Sequence, residues 1–341
     1  MNPRPPPYPQ YLFMQKVVIL GGGLGAAIFT KSLKDLPIQL TTIVSSFDDG
    51  GSTGLIRRDY GGWAVGDWRN CLLAASELPD EYKRGLEHRF GPGQLYGMQT
   101  GNVLLKAILN THKPFIKANR IIHEQLSVRH TILPASLSDS RITAVLSNGR
   151  RLVGQREIAD YLSFARAPIL KIGLTKKAGL LPQARRAILE ADLLVFAPGH
   201  FFTSLLPHLS VGGFKEVWQK SGAKKLWFVN LLAHKGQDDY YTLADHLKWF
   251  QRILGLKPFH EIWYNAKIGP RMAQKVEDRF EPLRITTGDL ASIKKLGIRA
   301  IPADLVRKGL AAQRENDFIM RAPVRHDPEK IKQIFKQILN V

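Results

Sequence analysis

A single cysteine, Cys71, among 341 residues rules out an internal disulfide framework and suits a reducing compartment. No apolar run approaches the roughly 18 residues that a membrane-crossing helix requires, so no span is expected. The opening stretch MNPRPPPYPQYLF lacks the apolar centre of a secretory signal, and the cytoplasm is the expected location. The ten histidines show no metal-site spacing with one another or with Cys71. No Walker loop ending in Gly-Lys-Ser/Thr occurs, which sets aside one large class of nucleotide-using enzymes. Acid is scarce too: 29 acidic residues against 49 basic ones give a formal charge of +20. That surplus favours anionic company. The basic residues, however, are scattered in pairs such as Arg150-Arg151 and Lys224-Lys225, without a zinc finger or an aromatic RNA-reading motif. They describe a basic, solvated surface better than a nucleic-acid-binding one.

The chain does have the apolar content of an ordinary globular protein, 44% against 23% charged residues. KVVIL (16–20) predicts a short strand covered on both faces, the following GGGLGAAIFTKSL a helix, and LTTIVSSF a second strand. This strand–turn–helix–strand opening begins a Rossmann-like, doubly wound α/β fold with a mostly parallel sheet. GDWRNCLLAASEL (66–78) predicts a helix capped by Asp67, with Cys71 on its apolar face; TGNVLLKAILN (100–110) predicts another. Alternating apolar residues around Asn148-Gly149 signal a hairpin, and residues 127–165 are expected to form a small inserted β region. The α/β rhythm then resumes at APILKIGL (167–174), DLLVFAPG, KKLWFVNLL, HEIWYN and IRAIPADL. A C-terminal helix over about 327–340 has Asp327 as its cap and a stripe of Ile331, Ile334, Phe335, Ile338 and Leu339. That stripe packs on the body or on a second copy, which leaves a homodimer open. Residues 1–14 read as a flexible proline-rich tail ahead of one domain, 15–341.

Three stretches carry candidate chemistry. Gly21–Ala26 fits G-x-G-x-x-A between a strand and a helix, so Gly22, Gly23 and Gly25 can bring backbone close to a phosphate at a helix N-terminus. SSFDDGGSTG (45–54) ends the second strand with adjacent acids. Asp48 and Asp49 can hold Mg²⁺ beside a diphosphate, orient a sugar hydroxyl or act as a base, with Gly50 and Ser52 beside them. A dinucleotide site needs one ribose-binding acid rather than two, which turns the reading away from a dehydrogenase. Asp67, Arg69 and Asn70 open the next helix, where Arg69, Arg57 and Arg58 can answer phosphates. Gly101-Asn102, Gly199 with Thr203-Ser204, and Asn230 lie at further loop mouths expected on the same sheet edge.

Taken in order, GGGLG, DDGGSTGLIRRDYG, GDWRNCL, GNVLL, APGHFFTSLLPHL and VNLLAHKGQ resemble the YvcK-like proteins, often labelled gluconeogenesis factor. These share a superfamily with the phospholactate transferases of deazaflavin-coenzyme synthesis. The likeness spans about residues 16–265. It implies a Rossmann-like sheet that binds a nucleotide diphosphate-sugar such as UDP-N-acetylglucosamine, and a role in carbon use, cell shape and envelope precursor supply. In the transferase branch the aspartates after the second strand hold a divalent metal, a role that maps to Asp48 or Asp49. Three positions depart from the family pattern: Leu24 stands for Thr, Met98 for His and His200 for Ser, while AHKGQ replaces a Thr-Gln-Pro-Gly-Glu type stretch. Alongside a UDP-sugar-binding regulator, two readings stay open: a Mg²⁺-dependent 2-phospho-L-lactate transferase-like enzyme, and a basic nucleic-acid-binding regulator.

Overall fold

The computed structural model describes residues 14–165, 167–235, 238–266, 280–311 and 322–341. The expected tail, residues 1–14, lies outside them save for its last position. Twelve strands are present among the described residues: β1 (Lys16–Gly21), β2 (Gln39–Val44), β3 (Thr131–Pro134), β4 (Ile142–Leu146), β5 (Arg151–Val153), β6 (Ile169–Leu174), β7 (Leu193–Phe196), β8 (Lys224–Phe228), β9 (Leu232–His234), β10 (Glu261–Asn265), β11 (Phe280–Pro282) and β12 (Arg299–Ala303). Seven of them form one sheet in the order β12-β10-β8-β7-β1-β2-β3, and every neighbouring pair in it is parallel. This is the expected Rossmann-like, doubly wound α/β architecture.

Strand alternation explains why the sheet needs cover on both sides. On β1, Val17 and Ile19 join one core with Phe29, Leu33, Phe228 and Phe335. Val18 and Leu20 join the other, with Ile43, Leu194, Phe196 and Phe250. The first face is closed by helix α1 (Gly23–Leu33) and the C-terminal helix Pro328–Leu339. Asp327 caps that helix by accepting from the Glu329 and Lys330 N–H groups, and Phe335 lies 5.5 Å from Phe228 between ring centres. The C-terminal stripe thus packs on the body of its own chain. No helix among the described residues is long and apolar enough to cross a membrane.

Four further helices frame the carboxyl edge: α2 (Gly51–Tyr60), α3 (Gly66–Ala75), α4 (Asp80–Glu87) and α5 (Thr100–Thr111), followed by α6 (Phe115–Gln125) and α7 (Gln155–Ala165). Two expectations need correction. The inserted region does not run from 127 to 165, because β3 pairs in parallel with β2 as an edge strand of the main sheet. It begins instead at β4 and ends with β6, which pairs antiparallel with β4 rather than joining the main sheet. The hairpin signal holds: β4 and β5 pair around Asn148-Gly149. Asp67 is not the cap of α3. That position falls to Val65, and Asp67 sits in the first turn without capping. Helix α6 had no clear sequence signal of its own.

Close approach of α1 to the loop after β7 fixes one glycine. A Cβ at position 25 would collide with the Pro198 carbonyl oxygen, so Gly25 lets the first helix pack against the loop that leaves β7. Gly25→Ala is expected to destabilise the protein by about 2 kcal/mol or more. Gly85 in α4 is exposed with nothing within 4 Å of its Cβ position, and Gly85→Ala is expected to stabilise by about 0.5–1 kcal/mol. Urea unfolding of the two variants checks both signs.

Candidate functional site

The strand order reverses at β1: β2 and β3 follow on one side, β7, β8, β10 and β12 on the other. At such a switch point the loops leaving neighbouring strands diverge and open a crevice at their carboxyl ends. Helix α1 leaves β1 there, α2 leaves β2, and a π-helical turn (Phe201–Leu205) leaves β7. None of the three N-termini has a side-chain cap or an acid in its first turn. Their free N–H groups therefore present partial positive charge to the crevice.

The glycines of the first loop play different parts. Gly23 holds φ at +60° with open space where a Cβ would stand; it is the loop's bare face toward the crevice. A Cβ on Gly22 would come 2.7 Å from Asp67 Oδ2 and 3.2 Å from Ser204 Cβ. Gly199 borders the same point, its Cβ position 3.4 Å from Ser204 Cβ. Gly22, Asp67, Gly199 and Ser204, drawn from the loops after β1 and β7, the π-helical turn and α3, thus surround one spot. Ser204 Oγ makes no hydrogen bond to the described residues.

Asp48 and Asp49 part company. Asp48 Oδ1 accepts from the Gly50 N–H (2.9 Å) and feels the charge of Asp67, which joins the acidic corner to the glycine loop. Asp49 turns toward the insert, where Oδ1 accepts from the Arg156 N–H (3.3 Å) at the start of α7. The two carboxylates therefore do not face one ion. Among the described residues no group of three or more His, Cys, Asp or Glu could hold a metal. The acids that do share the crevice are Asp48 and Asp67, a donor pair that suits Mg²⁺ only if phosphate oxygens and water complete its shell.

Several predicted contacts serve the protein itself. Arg57, buried, spends all five N–H donors: Nε on Gly62 O, Nη1 on Phe47 O and Asp48 O, Nη2 on Asp139 Oδ1 and Ser140 O. It has none left for a phosphate. Arg58 is exposed and forks onto Asp59. Arg69 donates to Gln99, Asn102 (2.9 Å) and Asn70 (2.7 Å), and the Asn102 amide donates to Ser52 Oγ (3.0 Å). The aliphatic part of Arg69 fills the place a Cβ on Gly101 would need. Asn230 clamps Gly199 from both ends of its amide, accepting from the N–H (2.7 Å) and donating to the carbonyl (2.6 Å). Thr203 Oγ1 bonds His200 Nδ1 (2.9 Å). Gly23, Asp48 and Ser204 remain as the groups best placed to meet a ligand, with Asp67 beside them.

Two structural residues had no motif to announce them. Gln99 donates its backbone N–H to Ser52 Oγ (2.8 Å). His208 is wholly buried, donates from Nε2 to Gly21 O (2.9 Å) at the end of β1, and is pulled down to about 4 by burial, so it is neutral near pH 7. Its apolar flanks, Leu205–Pro207 and Leu209, give the sequence the look of a core segment and hide this anchor.

Burial, then the repulsion of Asp67, push the Asp48 carboxyl up to about 7, against the Gly50 N–H, which favours ionisation. A carboxyl raised above its unfolded value favours folding most below that unfolded value, and the benefit is lost as pH rises through 7. Asp48→Asn, which keeps the Gly50 acceptor, is therefore expected to be more stable than the parent at about pH 8 and to lose that advantage toward about pH 4. Urea unfolding across this range checks the sign.

Comparison with known proteins agrees with this architecture. The profile of the family described as 2-phospho-L-lactate transferase CofD matches residues 17–306. The gluconeogenesis factor of Bacillus subtilis is 32% identical over 327 residues, which cover 95% of this chain and 98% of that protein. That of Halalkalibacterium halodurans is 31% identical over 291 residues, 84% and 88% of the two chains. The crystal structure of a UPF0052-family protein from Bacillus halodurans superposes with a TM-score of 0.84 at 28% identity, covering 94% of this chain and 98% of that one. With a family profile matched over residues 17–306 and relatives about 30% identical along nearly the whole chain, the chain belongs to the CofD family, on the side of the gluconeogenesis factors.

Proposed function

We propose that the crevice at the switch point binds a nucleoside diphosphate-sugar of the UDP-N-acetylglucosamine kind, and that the protein acts as a ligand-responsive regulator of carbon metabolism and envelope precursor supply. The observation that carries this reading is the convergence of three uncapped, acid-free helix N-termini on one sheet edge. Two phosphates placed there would take backbone N–H donors from α1 and from the turn after β7. Gly23 leaves room for close approach, and Ser204 Oγ offers a hydroxyl partner. Asp48 and Asp67 lie beside that point, where carboxylates suit sugar or ribose hydroxyls. An Asp48 that is partly protonated near pH 7 opposes a phosphate less than a fully charged one would.

A second reading, Mg²⁺-dependent phospholactate-type transfer, rests on that same carboxylate pair. The two readings differ in sign. If the pair meets hydroxyls, affinity for UDP-N-acetylglucosamine falls as pH rises through about 7 and does not need Mg²⁺. If it holds a cation beside a diphosphate, affinity rises with pH, needs Mg²⁺ and is lost in Asp48→Asn. Isothermal titration with UDP-N-acetylglucosamine, GDP and NAD, with and without Mg²⁺, separates them. UDP-N-acetylglucosamine is expected to bind, and Ser204→Ala to weaken it by about fivefold through loss of one hydrogen bond. No heat with any of the three would sink the ligand assignment.

A further inference from the structure

Beside the crevice, on the far side of α3's first turn, lies a separate cavity of about 610 Å³. It opens between the loop after α2, helix α5, the start of α6 and Leu137, just past the end of β3. That volume falls within the range of small-molecule pockets. Trp63 and Phe115 meet edge to face, ring centres 6.0 Å apart, and Trp63 is braced by the buried Trp68 at 5.2 Å. Leu109 and Leu137 complete the apolar walls. The charged groups that line it are Lys106 and Lys113; no carboxylate does.

We propose that this cavity is a binding site for a small amphipathic anion, a flat apolar body carrying one carboxylate, sulfonate or phosphate group, distinct from the nucleotide crevice. The apolar body takes the Trp63–Phe115 wall, and the acidic group meets the two ammonium groups at the rim. Lys106 is well placed for this. Its Nζ is tied to Gly61 O (2.7 Å), which fixes its position, and that bond uses one of three donors. The neighbouring carboxylate, Asp139, lies 2.8 Å from Arg57 Nη2 and is already engaged. Burial, with Arg57 and Lys113 adding to it and Asp139 opposing, holds the Lys106 ammonium below the ordinary lysine range. An arriving anion relieves that cost. Lys113 is exposed and makes no hydrogen bond or ion pair with the described residues.

The site stands apart from the nucleotide assignment, so its test uses neither nucleotide nor metal. Naphthalene-1-sulfonate and the uncharged 1-naphthalenemethanol are titrated into the full chain by calorimetry. The sulfonate is expected to bind at least about tenfold more tightly than the alcohol, and Lys113→Met to remove that difference while leaving the alcohol unchanged. Lys106→Met should act in the same direction, but it also breaks the bond to Gly61, so the exposed Lys113 carries the decision. Leu109→Trp, which fills the cavity, should abolish binding of both probes while the thermal transition stays cooperative. The proposal is overturned by equal affinity of the parent for the two probes, by a sulfonate preference that survives Lys113→Met, by binding of either probe that survives Leu109→Trp, or by no detectable heat at millimolar probe.

Discussion

The shape of the crevice corner depends on one guanidinium. Arg57 reaches back from α2 to hold the carbonyls of Phe47 and Asp48, the residues that lead out of β2. The same group holds Gly62 beyond α2 and Asp139 and Ser140 ahead of the insert. Three chain segments that would otherwise diverge are thus fixed to one planar fork. Arginine suits this task because its five donors lie in a rigid plane and stay charged at any physiological pH. A buried cation is tolerable here only because every donor is met and Asp139 supplies the opposite charge. Removing the side chain would leave several carbonyls without donors and Asp48 without a fixed direction.

Two neighbouring acids after β2 repel one another, and their separation explains why the cost is small. Backbone geometry sends Asp48 toward α3 and Asp49 toward the insert, so each charge meets its own surroundings. Asp48 takes a crowded place beside Asp67, where its proton is held more tightly. Asp49 finds the start of a helix, where free N–H groups welcome negative charge. Equal residues with unequal environments acquire unequal chemistry.

Much of the fold was legible because its signals are local. The apolar runs of β1, β2, β7 and β8, the glycine loop, the Asn148-Gly149 turn and the Asp327 cap each act within a few residues. What the sequence could not convey is partner choice. Residues 127–165 read as an insert and 167–174 as part of the main sheet, but whether a short strand joins the main sheet or an insert is decided by contacts far away in the chain. The candidate site divides the same way. Glycine positions and strand ends were visible as patterns. The engagement of Arg57, Asn102 and Asn230 with the protein itself was not, because a buried polar residue and a ligand-binding one have the same one-letter code. His208, set among leucines, gave no hint that it anchors the last carbonyl of β1.

The bond from Asp49 to the Arg156 N–H has a mechanical consequence. The segment that carries Asp48 past the crevice also carries the residue that pins the inserted subregion. Any movement of that segment to admit or release an occupant must either swing α7 along with it or break this tether. The insert, remote in sequence and built as its own small antiparallel sheet, is thereby coupled to events at the parallel sheet's edge.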